Sequence, residues 1–121
     1  MRLNYAIVYV SDMAKSVAFY RDSLGLPLGF ETPEWTEFRT EGASLALHKA
    51  DPAPAVAETP VHAGQCHPGI AVPDLDAFHE HAVANGVHCL QLPTPRFGAR
   101  IARYADPDGL AISVSEQRRD D

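Results

Sequence analysis

Tyr5-Ala-Ile-Val-Tyr-Val10-Ser-Asp12 and His67-Pro-Gly-Ile-Ala-Val72-Pro-Asp74 keep step with one another. Each reads as a strand, because residues 3–10 are rich in β-branched and aromatic side chains and 67–72 repeats the pattern. Each then reaches an aspartate that can cap a helix by accepting an N–H bond in its first turn. After Asp12, Met13, Val17, Tyr20 and Leu24 recur at i, i+4, i+7 and i+11, which places them on one helical face. After Asp74, Leu75, Phe78 and Ala82 do the same. Gly25 and Asn85-Gly86 end the two helices, since glycine tolerates the left-handed conformation that stops one.

Further out, Gly42 matches Gly109, Leu45 matches Ile112 and Ala46 matches Ser113. Strands are expected at about 27–31, 35–40 and 43–48 in the first half, and at 87–92, 99–105 and 110–116 in the second. Asp106-Pro107-Asp108-Gly109 is a turn, with Pro setting φ and Gly accepting a positive one. Residues 49–64 hold three prolines and little periodicity, and read as a linker. A repeat of about 60 residues that occurs twice is too long for a solenoid unit and implies two packed halves, each too small to bury a good core alone. The expected fold is α+β: a single domain over residues 1–121, built from two βαβββ modules at 3–48 and 65–116.

Composition narrows the function. The chain has 121 residues, 45% hydrophobic and 21% charged, the balance of an ordinary globular protein. A net charge of −6 argues against nucleic acid, which needs a basic face. No apolar stretch approaches the ~20 residues of a membrane span, and the N-terminus lacks a secretory core, so a cytoplasmic protein is expected. Cys66 and Cys89 are too few for a disulfide framework and read as reduced thiols.

Val10-Ser-Asp-Met-Ala-Lys-Ser-Val-Ala-Phe-Tyr20, Leu24-Gly25, His67-Pro-Gly-Ile-Ala-Val72 and Ala105-Asp-Pro-Asp-Gly109 together resemble the vicinal oxygen chelate superfamily. That superfamily includes glyoxalase I, extradiol dioxygenases, methylmalonyl-CoA epimerase and the bleomycin- and fosfomycin-resistance proteins. The resemblance covers roughly residues 3–116. It implies paired βαβββ modules whose sheets wrap an open cleft, in a chain that is often a homodimer.

Metal-using members resemble one another in four ligands, usually His or Gln and Glu, from the first and last strand of each module. The corresponding positions here are Tyr5, Ala46, His67 and Ser113. Only His67 is a good ligand, and the set offers no anionic charge to balance a divalent cation. The resemblance therefore implies that no metal or other cofactor is held, divalent metal being the less favoured case. His48 lies two residues beyond Ala46, so alternation gives both the same face, and a rebuilt site around His48 and His67 stays open. Glu116 is three residues from Ser113 and should face away from it.

Tyr5 and Tyr9 share parity with Ile7 and line the cleft if the family registration holds. Trp35 begins a strand near the cleft mouth, and Pro95-Arg96-Phe97-Gly98 resembles a loop that borders it. The candidate ligand-binding residues are thus Tyr5, Tyr9, Trp35, His48, His67, Phe97 and Ser113, around a small organic and aromatic molecule. Arg100 and Arg103 read as a solvated charged strand, His79 and His81 as solvated helix residues, and Cys66 as packed. The leading function is metal-independent binding of a small molecule, such as drug or natural-product sequestration. The alternative is a glyoxalase- or dioxygenase-like lyase or oxidoreductase with a non-standard site at His48 and His67. A module acting through protein contacts is the third reading.

Overall fold

A computed structural model describes residues 1, 3–50, 66–96 and 98–116 of the chain. Residues 51–64 of the expected linker and Phe97 therefore lie outside the described residues. The chain divides into two compact units, Met1–Ala57 and Glu58–Asp121. Each has the order β-α-β-β-β, as the repeat implies, and the class is α+β.

In the first unit β1 (Tyr5–Val10) leads into α1 (Met13–Ala18). β2 (Leu28–Glu31), β3 (Trp35–Phe38) and β4 (Ser44–Lys49) follow. The sheet order is β1-β4-β3-β2, with β1 parallel to β4 and the other pairs antiparallel. Asp12 caps α1, its carboxylate accepting from the Lys15 N–H at 3.1 Å. The expected stripe of Met13, Val17, Tyr20 and Leu24 is buried. It packs on the sheet face that carries Val8, Val10, Thr36, Phe38, Leu45 and Leu47, with the Tyr20 and Phe38 ring centroids 6.0 Å apart and the Thr36 hydroxyl 3.3 Å from Met13 Sδ. Burying a side chain the size of Leu47 contributes about 1.5–3 kcal/mol. One feature departs from the sequence reading. After Ala18 the helix widens into a π-helical turn over Phe19–Ser23, where Leu24 N–H donates to the Phe19 carbonyl. The apolar spacing, which fits an uninterrupted α-helix, carries no sign of it.

The second unit repeats the plan with β5 (Gly69–Val72), α2 (Leu75–Ala84), β6 (His88–Arg96), β7 (Ala99–Ala105) and β8 (Ala111–Glu116). Its order is β5-β8-β7-β6, with β5 parallel to β8. The caps superimpose in kind: Asp12 has φ −133 and ψ 105, and Asp74 has φ −137 and ψ 102. Asp74 accepts from the Ala77 N–H at 3.0 Å, and Glu116 adds a second acceptor for the Leu75 N–H at 3.1 Å. Glu116 thus faces the helix, away from Ser113, as strand parity predicts. Leu75, Ala82, Ala102, Tyr104, Ile112 and Val114 are fully buried on this side. In the turn before β8 the Asp106 carboxylate accepts from the Asp108 and Leu110 N–H groups at 2.9 and 2.8 Å, and Gly109 takes φ 87.

Three readings need correction. Arg100 is solvent-exposed as expected but not unpartnered: it grips Asp76 at 2.9 and 3.2 Å and approaches Glu116 at 3.7 Å. Its guanidinium holds the Asp76 carboxyl below the ordinary range. His79 is not solvated either, because it lies four residues after Leu75 on the buried stripe and shares a 2.8 Å hydrogen bond with the Tyr104 hydroxyl. Cys66 is exposed rather than packed, since β5 starts only at Gly69 and strand alternation does not reach it.

Candidate functional site

In each unit the helix covers one face of the sheet, and Tyr5, Tyr9, Trp35 and His48 in the first and Ser113 in the second lie on the other. On the first sheet the register aligns three rows across the strands. Tyr5 lies beside Ser44, Ile7 beside Ala46 and Glu37, and Tyr9 beside His48 and Trp35. Tyr5, Ile7 and Tyr9 are 45%, 40% and 61% exposed, whereas Val8 and Val10 between and beyond them are buried, so the expected shared parity holds.

Trp35 and Tyr5 start far apart. By strand geometry their Cα atoms are separated by two strand spacings and four residues, roughly 16 Å. Their rings nevertheless meet edge to face, with centroids 5.7 Å apart and planes at 85°. Both lean inward over β4, and Ala46, midway between their rows, is fully buried. A larger residue at position 46 would stand where the rings close. His48 continues the cluster, 5.8 Å from Trp35 and 5.3 Å from Tyr9 between ring centroids. Its Nδ1–H donates to the Lys49 carbonyl at 2.7 Å, which fixes the ring beside its aromatic neighbours. The Trp35 indole N–H donates to the Glu37 carboxylate at 3.1 Å. Glu37 is the residue that sequence reading missed, and its parity with Trp35 was the available signal.

The second sheet presents a different surface at the equivalent positions. Gly69, Ser113 and Arg103 form one row, and Gln91 stands opposite Arg103. His67 precedes β5, with its Nδ1–H donating to the Ala111 carbonyl at 3.2 Å. Its Nε2 is buried without a hydrogen-bond partner among the described residues. The Ser115 hydroxyl, on the same face, makes a long 3.5 Å contact with the Ile70 carbonyl.

The four positions that the resemblance links to metal ligands do not make a fitting donor set. Ala46 has no donor atom and is sealed under rings, and Ser113 and Tyr5 supply only hydroxyls. Among the described residues no three His, Cys, Asp or Glu side chains gather as metal ligands would. No helix among them is long and apolar enough to cross a membrane.

Comparison with known proteins bears on the family and the fold. The family model of the Glyoxalase/Bleomycin resistance protein/Dioxygenase superfamily matches residues 2–114. The uncharacterized protein YraH of Bacillus subtilis is 29% identical over 127 residues, which span 94% of this chain and 97% of that one. Among solved structures, TioX from Micromonospora sp. ML1 superposes with a TM-score of 0.74 at 16% identity, covering 98% of this chain and 100% of TioX. Lactoylglutathione lyase from Agrobacterium tumefaciens gives 0.72 at 21% identity, covering 94% and 92%. At those identities the two structures share the fold.

Proposed function

The chain belongs to the Glyoxalase/Bleomycin resistance protein/Dioxygenase superfamily, and from that premise we propose that it binds a planar, aromatic small molecule without a metal. The observation that carries this reading is the closure of Tyr5 and Trp35 over a buried Ala46. Where metal-using relatives place a carboxylate, this chain has a ring platform. Tyr9 and His48 extend it, and exposed ring faces favour offset or edge contacts with a flat ligand, each worth about 0.5–1.5 kcal/mol beyond area burial. The reading is that of a sequestering binder, resembling the resistance branch of the superfamily, at work in the cytoplasm. We further propose a homodimer, supported by Leu90 and Leu92, which are 47% and 64% exposed on the edge strand β6 and would gain from cover.

Trp35 is the single tryptophan, so its fluorescence reports directly on this face. Titration with quinoline and naphthoate should give saturable quenching that is unchanged by excess EDTA. Tyr5→Ala should weaken it roughly fivefold, the equivalent of one lost ring contact. Quenching that appears only after a divalent metal is added, or that Tyr5→Ala leaves unchanged, rules against the reading.

A further inference from the structure

Arg103 sits half-buried in the middle of the second sheet, on the face opposite the helix. Its cross-strand neighbours are Ser113 and Gln91, and no strand position paired on this face carries Asp or Glu. Among the described residues it makes no hydrogen bond and no ion pair, unlike Arg100 three residues earlier, which is bound to Asp76. A partly desolvated guanidinium has five donors and a fixed charge, and it is costly to leave without an acceptor. Beside it the floor is low. A Cβ built on Gly69 meets nothing within 4 Å, and Ala71, Ala111 and Ser113 line the neighbouring strand positions. At the end of the floor His67 offers a second unmet group, a buried Nε2 that in the neutral ring only accepts, because Nδ1 donates to Ala111.

Resting on the small-molecule reading above, we infer that this face selects acidic ligands: Arg103, helped by the Ser113 hydroxyl, takes a carboxylate, and His67 Nε2 accepts from a separate O–H or N–H of the same molecule. Strand geometry sets their separation. His67 and Arg103 are two strand spacings and two residues apart, roughly 12 Å between Cα atoms, and their side chains together span more than half of that. The remaining gap suits the two ends of one ring better than vicinal groups. The ligand class is therefore a hydroxylated aromatic acid with its hydroxyl remote from its carboxylate.

The test uses the full chain and three probes: para-hydroxybenzoate, its neutral isostere para-hydroxybenzamide, and benzoate. Binding is measured by calorimetry at pH 7.5. The wild type should prefer para-hydroxybenzoate to the amide by about tenfold or more, as a charge-assisted bidentate contact implies. Arg103→Gln should abolish that preference while keeping its affinity for the amide, and Arg103→Lys should keep part of it. His67→Phe should erase the advantage of para-hydroxybenzoate over benzoate. Equal binding of acid and amide by the wild type overturns the inference and leaves the small-molecule reading intact, as does a preference that survives in Arg103→Gln. Failure of all three probes to bind the wild type at millimolar concentration also overturns the inference, while the small-molecule reading stands or falls by the quinoline and naphthoate titration.

Discussion

A double-mutant cycle on Tyr5 and Trp35 measures whether the two rings meet. In the structure they touch edge to face at 5.7 Å across the width of β4. Each single change also removes other contacts. Trp35→Leu loses the edge contact with His48 and the indole bond to Glu37, at 5.8 Å and 3.1 Å. Adding two ring contacts of about 0.5–1.5 kcal/mol each to one hydrogen bond of about 0.5–1.5 kcal/mol gives a destabilisation of about 1.5–4.5 kcal/mol. Tyr5→Leu loses one ring contact from a half-exposed position, about 1 kcal/mol. The double variant should then be more stable than the sum of the singles predicts, by about 0.5–1.5 kcal/mol, since the shared contact is removed only once. Urea unfolding followed by circular dichroism is the assay, because fluorescence is lost with Trp35. Strict additivity within about 0.3 kcal/mol refutes the closure over Ala46 and, with it, the aromatic platform.

Two further outcomes follow from the second unit. Tyr104 is fully buried, and burial pushes its phenol up to about 12. Its folded value lies above its unfolded one, so its contribution is complete below pH ~10 and is lost as pH rises from there toward 12, up to roughly 2–3 kcal/mol. The stability of wild type should therefore fall more steeply than that of Tyr104→Phe between pH 10 and pH 12 in urea unfolding; parallel curves count against it. Asp74→Ala should cost about 1 kcal/mol by the same assay, because the Ala77 N–H loses its acceptor while Leu75 N–H keeps Glu116.

Much of this was legible in the sequence because it depends on period alone. The aspartate caps, the buried stripe of α1, the outward parity of Tyr5 and Tyr9 and the inward turn of Glu116 all follow from counting by 3.6 or by 2. What escaped depends on register between distant strands. Tyr5 and Trp35 are 30 positions apart, and only the pairings of β1 and β3 with β4 bring their rings together over Ala46. Arg103 looked like Arg100, yet three residues of separation put them on opposite faces, one against Asp76 and the other beside Ser113. β6 outruns its expected end and shifts register twice, at Cys89/Gln91 and at Gln91/Thr94, so no simple count places Gln91 opposite Arg103. His79 could have been read from its spacing to Leu75, but its partner Tyr104 is reached only through tertiary packing.

The duplicated register also shows how one plan yields two chemistries. Phe30, Glu37, Ala46 and Ile7 cross the first sheet in a row, and Gln91, Arg103, Ser113 and Gly69 cross the second at the same pairings. Two residues along, Trp35 and His48 correspond to Ile101 and Ser115. In the second unit Gly69, Gln91, Ile101 and Ser115 remove bulk or aromatic surface, Ser113 adds a hydroxyl where the first has Ala46, and at one position a carboxylate has become a guanidinium. That exchange matters because the two charges have different fates. Glu37 already accepts the Trp35 N–H, so its charge helps hold the ring platform in place. Arg103 has lost the equivalent indole to Ile101 and has gained no carboxylate, and the floor of its row has been lowered from Ile7 to Gly69. A charge kept half-buried without an internal partner lowers stability on its own account, so its retention beside open space is better explained by a ligand anion than by folding.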